Sequence, residues 1–292
     1  MAVVTSRQRE AALGQQIAGL DALEITSAPK KSFASRAWSA TWPKLGAVGI
    51  FLLLWQCIVW SGWKPEYALP GPRAVLARLW EDIQTPELWE AIGITLRRGV
   101  WGFAIAIVIG VVVGALVSQF KFLRSAVGSM ITGLQTMPSI AWFPLAILLF
   151  KLSDAAITFV VVLGAAPSVA NGLIHGIDHI PQNLTRAGRV LGARGLVAYR
   201  HVIIPAALPD FVAGLKQGWA FAWRSLLAGE LIVIIANQTS LGQYLAFNRE
   251  LADAEGLIAI MIVIFVIGVV IDALIFGTIE RRIRRKRGLL VG

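Results

Sequence analysis

The sequence predicts an all-α, polytopic membrane protein with six transmembrane helices, and three observations carry that prediction. Of its 292 residues 57% are hydrophobic and 15% charged, with a mean hydropathy of +0.69, whereas soluble domains run at about 45–50% apolar and about 25% charged. Residues 45–63, 99–120 and 125–150 contain no Asp, Glu, Lys or Arg, and about 20 apolar residues let a helix cross the hydrocarbon core. Lysine and arginine, finally, collect in alternate connections, as they do when one side of a membrane retains positive loops.

The net charge of +10 is therefore a topological signal. Nucleic-acid binding is excluded as its cause, since no separate basic fold or motif is present. Cys57 stands alone in an apolar run, which gives neither a disulfide framework nor a thiolate metal site. Residues 1–44 are polar and hold no apolar core of a cleavable signal peptide before Leu45.

In chain order, residues 1–44 read as a cytoplasmic tail, partly disordered or lying on a surface, with Gln8 to Glu24 weakly amphipathic. The apolar region, 45–280, opens with a span over 45–63 that ends in interfacial Trp60 and Trp63. Within the polar loop 64–94, Val75, Leu76, Leu79 and Trp80 share one helical face, predicting a short helix on the membrane surface. Thr85 and Pro86 form an N-cap and first turn leading to the second span, 98–120, where Gly110 and Gly114 make a GxxxG that permits close helix packing. The basic turn Lys121 to Arg124 precedes the third span, 125–150, broken at Pro138 and Pro144, because proline removes helical hydrogen bonds. The fourth span, 155–174, contains Pro167. A fifth, 206–236, and a sixth, 256–279, flank a polar loop over 237–255, and a basic tail, 281–292, follows.

Six spans place both termini on one side. The tail carries six basic residues in seven from Arg281 to Arg287, and Arg186, Arg189, Arg194 and Arg200 lie between spans four and five. The opposite loops are acidic on balance, with Glu66, Glu81, Asp82, Glu87, Glu90, Glu250, Asp253 and Glu255. Arg97 and Arg98, at the outer end of the second span, oppose this bias without reversing it. Both termini are thus expected in the cytoplasm, in a multi-pass protein of the plasma (inner) membrane.

The segment 181–205 is polar and arginine-rich between very apolar runs. Pro181 and Gln182 open a helix whose Leu184, Ala187 and Leu191 form an apolar stripe, and Gly192 is suited to a left-handed C′ position. A second short helix, about Arg194 to Ile203, with Leu196, Tyr199 and Ile203 on one face, is expected to stop at Pro205. The product is an amphipathic helical knuckle shaped for a groove on another protein.

This segment resembles the EAA loop of ABC importer permeases, E-A-A-x3-G-x9-I-x-L-P, here R-A-G-x3-G-x9-V-x-I-P from Arg186 to Pro205. Arg186 replaces the glutamate and Gly188 the second alanine. The stretches Ala141 to Ala146 and Ala222 to Glu230 are similar to the nitrate, sulfonate, taurine and bicarbonate branch, and most like an aliphatic sulfonate permease. The resemblance covers about residues 45–287 and implies a type I importer permease fold, with cytoplasmic coupling helices between spans four and five. It implies a homodimer, two cytoplasmic ATP-binding subunits holding ATP and Mg²⁺, and an extracytoplasmic solute-binding protein. Docking on the ATPase would fall to Arg186, Ala187, Gly188, Gly192, Ala193, Arg194 and Tyr199. The solute expected is a small anion, an aliphatic sulfonate or taurine before nitrate or bicarbonate.

The fifth span carries charge at membrane depth, where each charge costs about 2.5–3.5 kcal/mol on insertion scales and must face protein or water. Arg224 and Glu230 are six residues apart, roughly 240° around a helix, too far round to pair with each other. Either they line a pathway or each joins a buried ion pair with another helix. Gln135, Ser139, Trp142, Trp219 and Trp223 are further pathway or gate candidates, with packing as the alternative. His175 and His179 have the i, i+4 spacing of a zinc pair but no evident third ligand, so no metal is expected. There is no G-x-x-x-x-G-K-[ST] loop and no nucleophile–base constellation, so this chain is expected not to be an enzyme. An ion-coupled secondary transporter would show internal symmetry between its halves, which is not evident, and a non-transporting scaffold would leave the broken third span and charged fifth span unexplained.

Overall fold

A computed structural model describes residues 33–236 and 238–286. The chain divides into two units, residues 1–61 and 62–292. The first contains α1 (Phe33–Trp60), whose segment Thr41–Trp60 is long and apolar enough to cross a membrane. The helix begins well before the predicted start at Leu45, because Phe33 to Trp42 contains neither glycine nor proline. The weakly amphipathic stretch expected over 8–24 lies outside the described residues.

The second unit holds α2 (Pro72–Ile83), α3 (Pro86–Gln119), α4 (Lys121–Thr136) and α5 (Phe143–Phe150). These are followed by α6 (Asp154–Asp178), α7 (Gln182–Val190), α8 (Gly195–Ile232), α9 (Leu241–Glu250) and α10 (Ala254–Lys286). No strand occurs among the described residues. Five helices are apolar enough to span a membrane, six if the bent pair α4–α5 counts as one.

Helix α6 is the centre of this unit, packed between α3 and α8. Its small residues make that possible. A Cβ on Gly172 would meet Gly214 Cα at 2.6 Å, and one on Gly176 the Ala207 carbonyl at 2.6 Å, so α6 and α8 run antiparallel nearly backbone to backbone. On its other side, Gly110 and Gly114 of α3 lie against Ala166, Val169 and Ala170; the GxxxG is a packing seam. Phe143, Ile157, Val160, Val161, Val169 and Leu226 fill the fully buried core.

Four expectations need correction. Thr85 and Pro86 do start a helix, but α3 is continuous from Pro86 to Gln119, roughly 50 Å at about 1.5 Å per residue, so its first turns project beyond the hydrocarbon. Helix α2 is not simply laid on a surface: Val75 is fully buried and the helix packs on α10, held by Arg78–Asp253 at 3.0 Å, while Leu76 and Trp80 stay exposed. The loop over 237–255 contains α9, announced by Ser240 with Gln243 three residues on, a capping-box pattern. Pro205 does not end the knuckle. A π turn over Tyr199–Ile203, within α8, carries that helix through Pro205. Wider i→i+5 bonding there lets the chain continue where a strict α-helix would need the N–H that proline lacks.

In the third span the break falls at Pro138. Met137 and Pro138 are extended, a short 3₁₀ turn spans Ser139–Trp142, and the two halves meet at 103°. Pro144 sits harmlessly in the first turn of α5.

Candidate pathway and docking sites

The knuckle is built from α7, a turn and the foot of α8. Gly192 has φ +84°; its N–H reaches the Arg189 carbonyl at 3.0 Å and that of Ala193 the Gly188 carbonyl at 2.9 Å, the paired bonds of a Schellman cap. Gly188 is buried, and an added Cβ would lie 2.9 Å from Val202 Cγ2. That contact is why glycine stands where the EAA pattern has alanine: α7 folds onto the π turn too closely for a methyl group. Arg186 is exposed and donates to Gln182 Oε1 at 3.3 Å.

Gly188, Ala193 and Arg194, with Thr185, Arg189 and Val202, line a recess of about 290 Å³. Around it Val190 (88%), Leu191 (86%) and Leu196 (88%) are almost fully exposed. Ala187 and Tyr199 are exposed too. The predicted apolar stripe of α7 therefore faces away from its own chain, a surface that monomers seldom leave uncovered.

Glu230 belongs to a buried polar cluster. It is 0% exposed, and Arg98, at 6%, places Nη1 3.1 Å from its Oε1. Thr95 Oγ1 donates to Oε2 at 2.9 Å and the Gly242 N–H at 3.1 Å. Arg98 also donates Nε to Asp154 at 2.7 Å and Nη2 to Gln238 at 3.0 Å, while the Thr95 hydroxyl accepts the Leu241 N–H at 3.0 Å. One carboxylate and one guanidinium thus tie the ends of α3, α6 and α8 to the start of α9. A Cβ on Gly242 would collide with Glu230 Cβ, so only glycine admits the backbone donor this close. Thr95, Arg98, Gln238 and Gly242 were not identifiable from sequence as partners of Glu230. Arg98, read there as a charge at the outer end of the second span that opposes the positive-inside bias, is an internal counter-charge.

Arg224 is in a different setting. It is exposed on α8, donating Nε to its own helix at Ala220 O (3.0 Å) with the guanidinium 4.8 Å from the Phe221 ring. No carboxylate pairs with it among the described residues. Gln135, Ser139, Trp142 and Arg224 come together around a recess of about 250 Å³ formed by the break between α4 and α5. Trp219 and Trp223 do not join them. They are 7% and 9% exposed, stacked at 6.0 Å, with Trp219 edge-on to Phe103 at 5.3 Å, and so belong to the core. His175 and His179 stack at 5.7 Å, and no group of three potential metal ligands forms among the described residues.

The model of the family described as binding-protein-dependent transport system inner membrane component matches residues 106–285. The aliphatic sulfonates transport permease protein SsuC of Escherichia coli is 29% identical, over 77% of this chain and 84% of its own. The nitrate import permease protein NrtB of Synechococcus elongatus is 28% identical, over 72% and 80%. A structure of the MetNI methionine ABC transporter in inward-facing conformations superposes with a TM-score of 0.54 at 21% identity, covering 67% of this chain and 94% of that one. With these matches spanning the broken span, the knuckle and the long helices around them, the chain belongs to the binding-protein-dependent inner membrane component family and is the permease subunit of an ABC importer for small solutes.

Proposed function

We propose that this permease conducts a small oxyanion, an aliphatic sulfonate or taurine before nitrate or bicarbonate. The observation that carries the reading is Arg224: a guanidinium, charged at any accessible pH, without an acidic partner among the described residues and turned into the recess at the broken span. A sulfonate or nitrate would take up its free planar donors. Relatives described as sulfonate and nitrate permeases support the same class.

Two copies of the chain form the pathway, with both termini and the knuckle in the cytoplasm. The exposed Leu191, Val190 and Leu196 dock into two ATP-binding subunits, which hold ATP and Mg²⁺. The acidic loops and α9 receive the solute-binding protein. ATP binding closes the ATPase pair and moves the long helices through the knuckle; hydrolysis resets them. The test is uptake of radiolabelled sulfonate, taurine and nitrate by the reconstituted complex. Arg224→Ala is expected to abolish uptake while the complex assembles, and Arg224→Lys to retain part of it. A well-assembled alanine variant with normal uptake overturns the assignment of the anion to Arg224.

A further inference from the structure

The recess at Arg224 has a neighbour. A second, larger hollow of about 610 Å³ lies along the same pair of helices, and Gln135 lines both. On α8 the stripe Asp210, Gly214, Gln217, Phe221 and Arg224 repeats at steps of four, three, four and three, one helical face. Gly164, Ser168, Asn171, His175 and His179 fall on a matching face of the antiparallel α6. Gly164, Phe221 and Arg224 belong to the first recess, whereas Asn171, His175, Asp210 and Gln217 belong to the second. Arg224 and Asp210 are fourteen residues apart, about 21 Å along the helix.

The charge along this stripe is ordered. Arg224 stands at one end without a carboxylate. At the other the Asp210 carboxylate is exposed and forms no ion pair among the described residues. Between them the groups are amides and a hydroxyl: Gln135 Nε2 donates to Ser168 Oγ at 2.8 Å, and Asn171 Nδ2 donates to Gln135 Oε1 at 2.9 Å. Gln135 is thereby fixed from both sides at the boundary between the hollows.

We infer that this stripe is an electrostatically graded path, in which Arg224 captures an anionic solute, Gln135 is the neutral gate it passes, and Asp210 expels it from the inner hollow. This rests on the reading above that the chain conducts a small anion. An anion gains Coulomb energy at the first recess and loses it near Asp210, so it is held where it enters and released where it leaves. The gate must be neutral. A carboxylate there would oppose the entry that Arg224 favours.

The test uses charged thiol reagents, anionic sulfonatoethyl and cationic trimethylammonioethyl methanethiosulfonate, on the full complex in vesicles. Exposed Cys57 is first replaced by serine. Single cysteines are placed at Ser139, in the first recess, and at Ala213, in the second, and rates are divided by those of a free thiol. Ser139→Cys is expected to favour the anionic reagent, and Ala213→Cys the cationic one, each by about fivefold as screened single charges do. Arg224→Ala should erase the first preference and Asp210→Asn the second. Equal preferences at both positions overturn the gradient.

The gate is tested separately by uptake. Gln135→Glu can still accept from Asn171 and from the Ser168 hydroxyl, so packing is kept while charge is added; uptake should fall at least about tenfold in an assembled complex, with Gln135→Asn far less affected. Normal uptake by Gln135→Glu overturns the gate. Should Arg224→Ala stop uptake while the two cysteines show equal preferences, the graded path alone fails. Should Arg224→Ala transport normally, the anion assignment beneath it fails.

Discussion

Glu230 and Arg224 lie six residues apart on one helix, and the structure gives them opposite surroundings. Glu230 is closed in by Arg98, Thr95 and the Gly242 N–H. Removing one member of such a buried pair costs about 3–5 kcal/mol, chiefly because the other charge is left unmatched. Glu230→Ala is therefore expected to lower the melting temperature of the detergent-purified protein sharply. Gly242→Ala should do the same, because its methyl group occupies the space of the Glu230 Cβ. If Gly242→Ala melts like the parent while Glu230→Ala does not, the backbone donor is dispensable. The sequence showed that both charges needed partners, since intramembrane charge is too costly to leave alone. It could not show which would be satisfied internally. That choice depends on α9 folding back to place Leu241 and Gly242 beside Thr95 and Glu230, across separations of 146 and 12 residues that no local pattern encodes.

At the scale of elements, the knuckle separates two demands on glycine that a sequence pattern merges. Gly192 has open space around it and a left-handed backbone, φ +84°; Gly188 has an ordinary helical backbone and no space. Gly192→Ala should cost about 1–2 kcal/mol through conformation alone, and Gly192→Val should weaken co-purification of the ATPase subunits. Gly188→Ala restores the EAA residue yet should cost about 1–3 kcal/mol by overpacking against Val202, and Val202→Ala should relieve it. A double variant no better than Gly188→Ala alone would show that the strain lies elsewhere, as read from thermal melting and from co-purification. The helices themselves were legible where a single local rule sufficed: uncharged length for the spans, Thr85-Pro86 for the start of α3, Gly192 for the cap. They were misread where two rules competed. At Pro205 the expected stop was overridden by the π turn. In the 237–255 loop, polarity masked the Ser240 and Gln243 signal that begins α9.

For the whole molecule, charge and helix order together predict one orientation across the membrane. Helix α6 runs from Asp154, beside Arg98, to Asp178, which pairs with Arg124 at 2.6 Å close to the knuckle. The antiparallel α8 returns to Glu230, so the buried Arg98 cluster and α9 share one end of the bundle while the knuckle, the Arg124 turn and the basic end of α10 share the other. With Arg98 neutralised inside, the remaining outer charge is more acidic than a count of loop residues suggests. From the positive-inside rule we propose that the knuckle end lies in the cytoplasm. The prediction uses Cys57→Ser with a single cysteine at Leu251, just beyond α9, or at Leu191, on the knuckle; both sites are well exposed at 62% and 86%. In sealed right-side-out vesicles of the assembled complex, a membrane-impermeant maleimide should label Leu251→Cys at once and leave Leu191→Cys unlabelled. After permeabilisation Leu191→Cys should still be shielded by the docked ATPase, and become labelled when the ATPase is omitted from expression. Labelling of Leu191→Cys in sealed vesicles would invert the topology, and full labelling after permeabilisation with the ATPase bound would remove the knuckle from the docking interface.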